Sequence, residues 1–182
     1  MEKDALDIPV MIGEVVQALR ASEGGTFVDC TLGMGGHARG ILEAAPSSIV
    51  VGVDRDASAL ALAQKHLAPF GERLRPVHAN FKEVAAWSAS LPSPPRGILA
   101  DLGMSTYQLQ AGRGFSFRDD GPLDMRMDQS QGAPALEFLA SASEDEMVRV
   151  FRKYGEEPFA SPIARAILNR QGEEAPLLSG RE

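Results

Sequence analysis

Thr26-Phe-Val-Asp29-Cys-Thr-Leu-Gly33-Met-Gly35-Gly36-His37-Ala38 joins a short apolar run to a glycine-rich turn and the opening of a helix. Thr26–Asp29 reads as a buried strand. The helix is expected from about His37 to Ala45, with Pro46 ending it. Glycine lets the backbone turn sharply and approach a ligand that a Cβ would keep away. The helix behind it offers unpaired N–H groups and the positive end of its dipole. By itself such a turn fits a purely structural role equally well.

The same unit recurs downstream. Ser48-Ile-Val-Val-Gly-Val53 is a second strand ending at Asp54, and Asp56 is placed to cap an alanine-rich helix over Ala57–Leu67. Leu74–Ala79 is a third strand, followed by a helix from about Phe81 to Leu91. Gly97-Ile-Leu-Ala-Asp101 is a fourth. Upstream, Ile12, Val15, Val16 and Leu19 lie at helical spacing before Gly24-Gly25. Alternation with short connections predicts an α/β fold: a parallel sheet covered on both faces. The pattern breaks after Asp101. Residues 103 to 132 are rich in Gly, Arg, Asp and Met and show no period. Beyond them Ser143-Glu-Asp-Glu146 is a capping box opening a helix to Tyr154. Ser161-Pro162 is a cap with proline at the first helical position, opening Ile163–Gln171.

Composition sets the outer bounds. A chain of 182 residues, 44% hydrophobic and 24% charged, has the make-up of a soluble globular protein. No run of about 18 apolar residues occurs, and the acidic start Met1-Glu-Lys-Asp4 does not resemble a secretory signal. Cys30 is the single cysteine, so a cytoplasmic location is expected. With His37, His66 and His78 it gives no zinc spacing, and no metal is expected. The net charge of −7 counts against a nucleic-acid partner overall, although only the local field at a binding face decides that.

Asp54 lies 19 residues beyond Gly35, where a carboxylate can accept two hydrogen bonds from a ribose diol. This favours a nucleotide-type cofactor. Asp29, just before the turn, would repel a pyrophosphate and attract an ammonium or a water bound to it, which favours S-adenosylmethionine over NAD. Its competing role is a turn residue bonding its own backbone. Phe81 can pack against adenine or open the core face of its helix. Asp101 closes the fourth strand, and strands one and four flank the point where strand order reverses and ligands bind.

Longer motifs narrow this reading. Gly33-Met-Gly-Gly-His37, Gly52-Val-Asp-Arg-Asp56, Asn80-Phe81, Ile98-Leu-Ala-Asp-Leu-Gly103, Gln108-Leu109, Arg113-Gly-Phe-Ser-Phe117 and Asp120-Gly-Pro-Leu-Asp-Met-Arg-Met-Asp128 resemble the bacterial ribosomal RNA small subunit methyltransferase H family. Tyr154-Gly-Glu-Glu157 and Ile163-Ala-Arg-Ala-Ile167 resemble its inserted helical region. The resemblance implies a class I methyltransferase, Rossmann-like sheet of which about four strands are present, with part of a helical insertion. It implies S-adenosylmethionine-dependent N4-methylation of a cytidine in 16S rRNA of the small ribosomal subunit. The implied cofactor positions are Gly35, Gly36, His37, Asp54, Phe81, Asp101 and Gln108. The resemblance assigns no catalytic residue; Asp101, at the strand end where the methyl acceptor must lie, is the candidate on position alone. Asp7, Tyr107 and Gln110 depart from the family's frequent His, Pro and Asp.

The expected division is a cofactor domain over 1–112 and a loop with the start of the helical insertion over 113–182. The family extends beyond the segment matched here, so the chain reads as a truncated form whose fourth strand would expose an edge. Arg113, Arg118 and Arg126 with Phe115 and Phe117 are candidates for RNA contact. Interleaved Asp119, Asp120, Asp124 and Asp128 favour an internally bridged loop for most of these arginines. Arg149, Arg152 and Lys153 read as a solvated face. The rival readings are a cofactor-binding fragment without catalysis and an NAD-dependent oxidoreductase.

Overall fold

A computed structural model describes residues 9–88, 91, 93–118 and 120–171. The chain divides into two compact units, Met1–Tyr107 and Gln108–Glu182. The first holds α1 (Ile12–Ala18), β1 (Gly25–Asp29), α2 (Gly36–Ala44), β2 (Ser48–Asp54), α3 (Ala57–His66), β3 (Leu74–His78), α4 (Val84–Ser88) and β4 (Gly97–Leu99). The strands run parallel in the order β3-β2-β1-β4. The expected α/β sheet is therefore present, and β1 and β4 are neighbours at the point where strand order reverses.

The pleat sorts the strand side chains onto two faces. Phe27 and Val50 point into one core with Ile41, Leu42, Leu60, Ala63 and Leu67 from the helices. Val28, Val51 and Val53 point the other way, with Trp87 packed against them. Asp56 caps α3 as expected: its Oδ1 accepts from the amides of Ser58 at 3.0 Å and Ala59 at 3.4 Å.

Several boundaries differ from the sequence reading. β4 ends at Leu99, so Asp101 lies in the segment after the strand. Phe81–Glu83 is a 3-10 turn before α4, because Asn80 accepts the Lys82 amide through its side chain and sets a local turn. Residues 89 and 90 of the expected helix lie outside the described residues, as do Asp7 and Asp119. Among the described residues β4 pairs only with β1, and Ile98 on it is 56% exposed.

In the second unit α6 (Ala135–Ser141), α7 (Glu144–Gly155) and α8 (Ala160–Gln171) pack around Met147 and Ala164. The Ser143 capping box forms in full. α8 opens at Ala160, so Ser161 and Pro162 occupy its first turn, not its cap. Two short helices were not legible beforehand: α5 (Thr106–Gln110), which spans the junction of the units, and α6. The amides of Ala135 and Leu136 opening α6 donate to the carbonyls of Asp124 and Leu123 in the preceding loop, a tertiary start that no local signal announces. Among the described residues no helix is long and apolar enough to cross a membrane.

Candidate functional site

The turn after β1 is fixed by packing. Gly35 has φ +93°, and a Cβ on it would lie 2.6 Å from Leu67 Cδ1. Leu32 of the turn packs over Gly52 of β2, where a Cβ would come within 2.6 Å of its methyl groups. Glycine is thus required here by the fold, whatever binds. Gly33 differs: at φ +53° an added Cβ would meet only the Thr31 carbonyl, at 3.9 Å. Gly36 opens α2.

Three carboxylates gather beside this turn. Asp29 is 1% exposed. Its Oδ1 accepts the Thr31 amide at 3.1 Å, while its Oδ2 is buried without a hydrogen-bond partner among the described residues. Burial pushes its carboxyl up to about 6, the Thr31 amide and His37 oppose that, and the charges of Asp54 and Asp101 add to it. The expected self-bonding turn role accounts for one oxygen and leaves the other bare. Asp54 accepts the Gly33 amide at 2.8 Å on one oxygen and the Asp56 amide at 2.9 Å on the other. It clamps the turn to β2. Burial raises its pKa against these backbone bonds, and each oxygen retains a lone pair. Asp101 is exposed, and its amide donates to Thr31 Oγ1 at 2.8 Å. Thr31, which the sequence reading did not single out, therefore ties the ends of β1 and β4 together. Only its neighbours' spacing could have hinted at this.

His37 is 7% exposed in the first turn of α2. Its Nε2 lies 2.9 Å from the Val10 carbonyl and its Nδ1 lies 4.0 Å from Asp101 Oδ2. Phe81 is 44% exposed, so it is not the core residue that its helical spacing also allowed. Gln108 is buried in α5 and belongs to the second unit. Among the described residues no group of three or more His, Cys, Asp or Glu is arranged to hold a metal ion.

The sequence profile of the MraW methylase family matches residues 4–182. The chain belongs to the MraW methylase family. It is similar to the ribosomal RNA small subunit methyltransferase H of Syntrophotalea carbinolica, 49% identical over 95% of this chain and 56% of that protein. It is likewise similar to the protein of that name from Cyanothece sp., 48% identical over 94% of this chain and 57% of the relative. The chain spans about half the length of the curated relatives it matches. Among solved structures it is similar to an rRNA methylase from Streptococcus thermophilus, 18% identical over 70% of this chain and 79% of that one, with a TM-score of 0.39. The family assignment stands on the sequence matches alone.

In this MraW family member the arginine-rich run of the second unit is internally bonded. Arg126 makes a bidentate pair with Asp124, at 2.8 Å and 2.7 Å, and Gln129 donates to the same carboxylate. The Arg126 side chain, its backbone amide and Gln129 hold the Asp124 carboxyl well below the usual range. Arg113 is buried and donates to the Met127 carbonyl at 3.2 Å. A Cβ on Gly121 would meet the Gly112 carbonyl oxygen at 2.2 Å, so two backbone segments cross in contact there. Arg118 lies over the Phe117 ring at 5.6 Å, and both are exposed. Of the arginines proposed for RNA, Arg113 and Arg126 thus serve the loop, and Arg118 with Phe117 faces solvent.

Proposed function

We propose that the first unit binds S-adenosylmethionine beside the turn Gly33–His37 and serves N4-methylation of a cytidine in 16S rRNA of the small ribosomal subunit. The observation that carries the cofactor is the buried, unpartnered Oδ2 of Asp29. An ionised carboxylate without a partner in an apolar setting is expensive. A cationic ligand offsets that cost, whereas a pyrophosphate would add to it. S-adenosylmethionine carries an ammonium and a sulfonium, and when bound it supplies an electrophilic methyl group.

Asp29 would hold the ammonium, directly or through a water, Gly35 and Gly36 would let the backbone approach, and Asp54 would offer its remaining lone pairs to the ribose. Phe81 is exposed, and stacking its ring on adenine is the role proposed for it. Asp101 is proposed on the acceptor side, where it can receive a hydrogen bond from the amine. Gln108 rests on the resemblance alone. The RNA substrate is supported by the names of the relatives, and a cytoplasmic location follows from it. Arg118 and Phe117 are the pair proposed to touch RNA.

Calorimetric titration of the chain with S-adenosylmethionine and, separately, NAD tests the cofactor. The first is expected to bind and the second not; comparable binding of both, or of neither, contradicts the proposal. Methyl transfer to small-subunit particles, measured beside one of the longer relatives, tests the reaction. Asp101→Asn is expected to lower transfer, and unchanged affinity together with unchanged transfer would remove Asp101 from the scheme.

A further inference from the structure

His37 Nε2 is 2.9 Å from the Val10 carbonyl oxygen. A carbonyl only accepts, so Nε2 carries the proton and donates. In the neutral ring this fixes the tautomer and leaves Nδ1 with a lone pair. That lone pair is 4.0 Å from Asp101 Oδ2, and Asp101 makes its one described hydrogen bond through its backbone amide. Two acceptors cannot bond one another, and 4.0 Å exceeds hydrogen-bond reach for an imidazolium as well. A nitrogen with two N–H bonds, standing off the line between them, can donate to both.

We propose that His37 Nδ1 and Asp101 Oδ2 form a two-acceptor seat for the exocyclic amine of the base to be methylated, with His37 as proton acceptor. This rests on the methyltransferase reading above. A carbonyl in the amine's place would set a third acceptor against two, so the seat distinguishes an amino-pyrimidine from an oxo-pyrimidine. Accepting both N–H bonds also draws the nitrogen lone pair out of the ring and toward the methyl group. In the transfer the nitrogen gains a bond to the methyl carbon as the carbon–sulfur bond breaks, and the sulfonium becomes a neutral thioether. One N–H bond then breaks: its electron pair stays on nitrogen and its proton goes to Nδ1. The resulting imidazolium faces the Asp101 carboxylate, with Asp29 near enough to interact with it as well, until water takes the proton.

The Val10 bond makes two substitutions informative. His37→Gln extends an amide toward the Val10 carbonyl and supplies nothing at Nδ1. His37→Asn puts an amide oxygen near Nδ1 and gives up Val10. In single-turnover transfer at saturating cofactor, His37→Gln is expected to lose about 10- to 100-fold in rate beyond whatever it changes in affinity for S-adenosylmethionine, and His37→Asn to recover part of that loss. The reverse ranking, or a loss of cofactor affinity alone, overturns the proposal.

A second readout needs no turnover. The ring nitrogens of the native chain are followed by long-range nitrogen NMR during titration with S-adenosylhomocysteine, then cytidine, then uridine in its place. The His37 Nδ1 resonance is expected to move with cytidine and not with uridine. Movement complete on the cofactor product alone, equal movement with both nucleosides, or none with cytidine overturns the proposal. If the native chain binds no S-adenosylmethionine in calorimetry, the underlying function fails first; if it binds and Nδ1 is insensitive to cytidine, only the seat fails.

Discussion

Beside the turn Gly33–Gly36, Asp29, Asp54 and Asp101 come together with His37, and among the described residues none of the three is paired with an arginine or lysine. In the second unit, Asp124 meets Arg126 in a bidentate pair and Gln129 fills in beside it. Both regions are rich in glycine and aspartate, and both need glycine for packing. They differ in how charge is settled. The second loop balances its own carboxylate, which is the behaviour of a structural element. The first leaves a buried carboxylate oxygen unanswered, and the proposed cofactor site rests on that oxygen. Glycine content does not separate the two, whereas charge balance does.

Substitution at the glycines tests the shared part of this comparison and should have the largest effect. Gly121→Ala drives a Cβ against the Gly112 backbone, and Gly35→Ala combines a left-handed backbone with a clash at Leu67. Each is expected to cost about 3 kcal/mol in urea unfolding. Gly33→Ala, with open space around it, is expected to cost about 1 kcal/mol. Equal costs at all three positions would break the claim that packing sets two of them.

The charge difference comes next. Asp124→Asn is expected to lower the thermal midpoint of the chain at pH 7 by several degrees. The Asp124 carboxyl is depressed in the fold, so its contribution is present above the ordinary carboxylate range and disappears only as pH falls through its low folded value. A midpoint unchanged at pH 7 would show that the pair contributes nothing. The smallest effect is a control outside both regions: Asp56→Ala removes the α3 cap and should cost about 1 kcal/mol, leaving cofactor affinity intact.

Much of the first unit is legible in the sequence because its signals are local and repeated. Apolar runs such as Ile49–Val53 and caps such as Asp56 act over a few residues, and four repeats leave one sheet type open. Asp29 and Asp54 could be placed at strand ends for the same reason. What each does could not. Asp54 also serves as a clamp on Gly33, and Thr31 bridges to the Asp101 amide, across 21 and 70 residues respectively. The His37–Val10 bond likewise joins segments that no periodicity connects. In the second unit α6 opens on carbonyls of the preceding loop, and the Asp124–Arg126 pairing had to be chosen among several interleaved charges. The capping box at Ser143 could be read because it is complete within four residues.

Asp29 tests the account most directly, because the substitution should move stability and binding in opposite directions. Its folded pKa of about 6 lies above the ordinary 3.8. The folded chain therefore takes up a proton that the unfolded chain does not, and stability falls as pH rises from about 4 to about 6. Above that window the ionised, unpartnered carboxylate costs up to about 3 kcal/mol. Urea unfolding of Asp29→Asn beside the native chain, with calorimetric titration of S-adenosylmethionine into both, is the decisive measurement. The expected result is a variant more stable at pH 7 without ligand, an advantage that closes by pH 4, and an affinity weaker by about 10- to 100-fold. A variant that is less stable at pH 7 and binds S-adenosylmethionine as the native chain does would contradict the account.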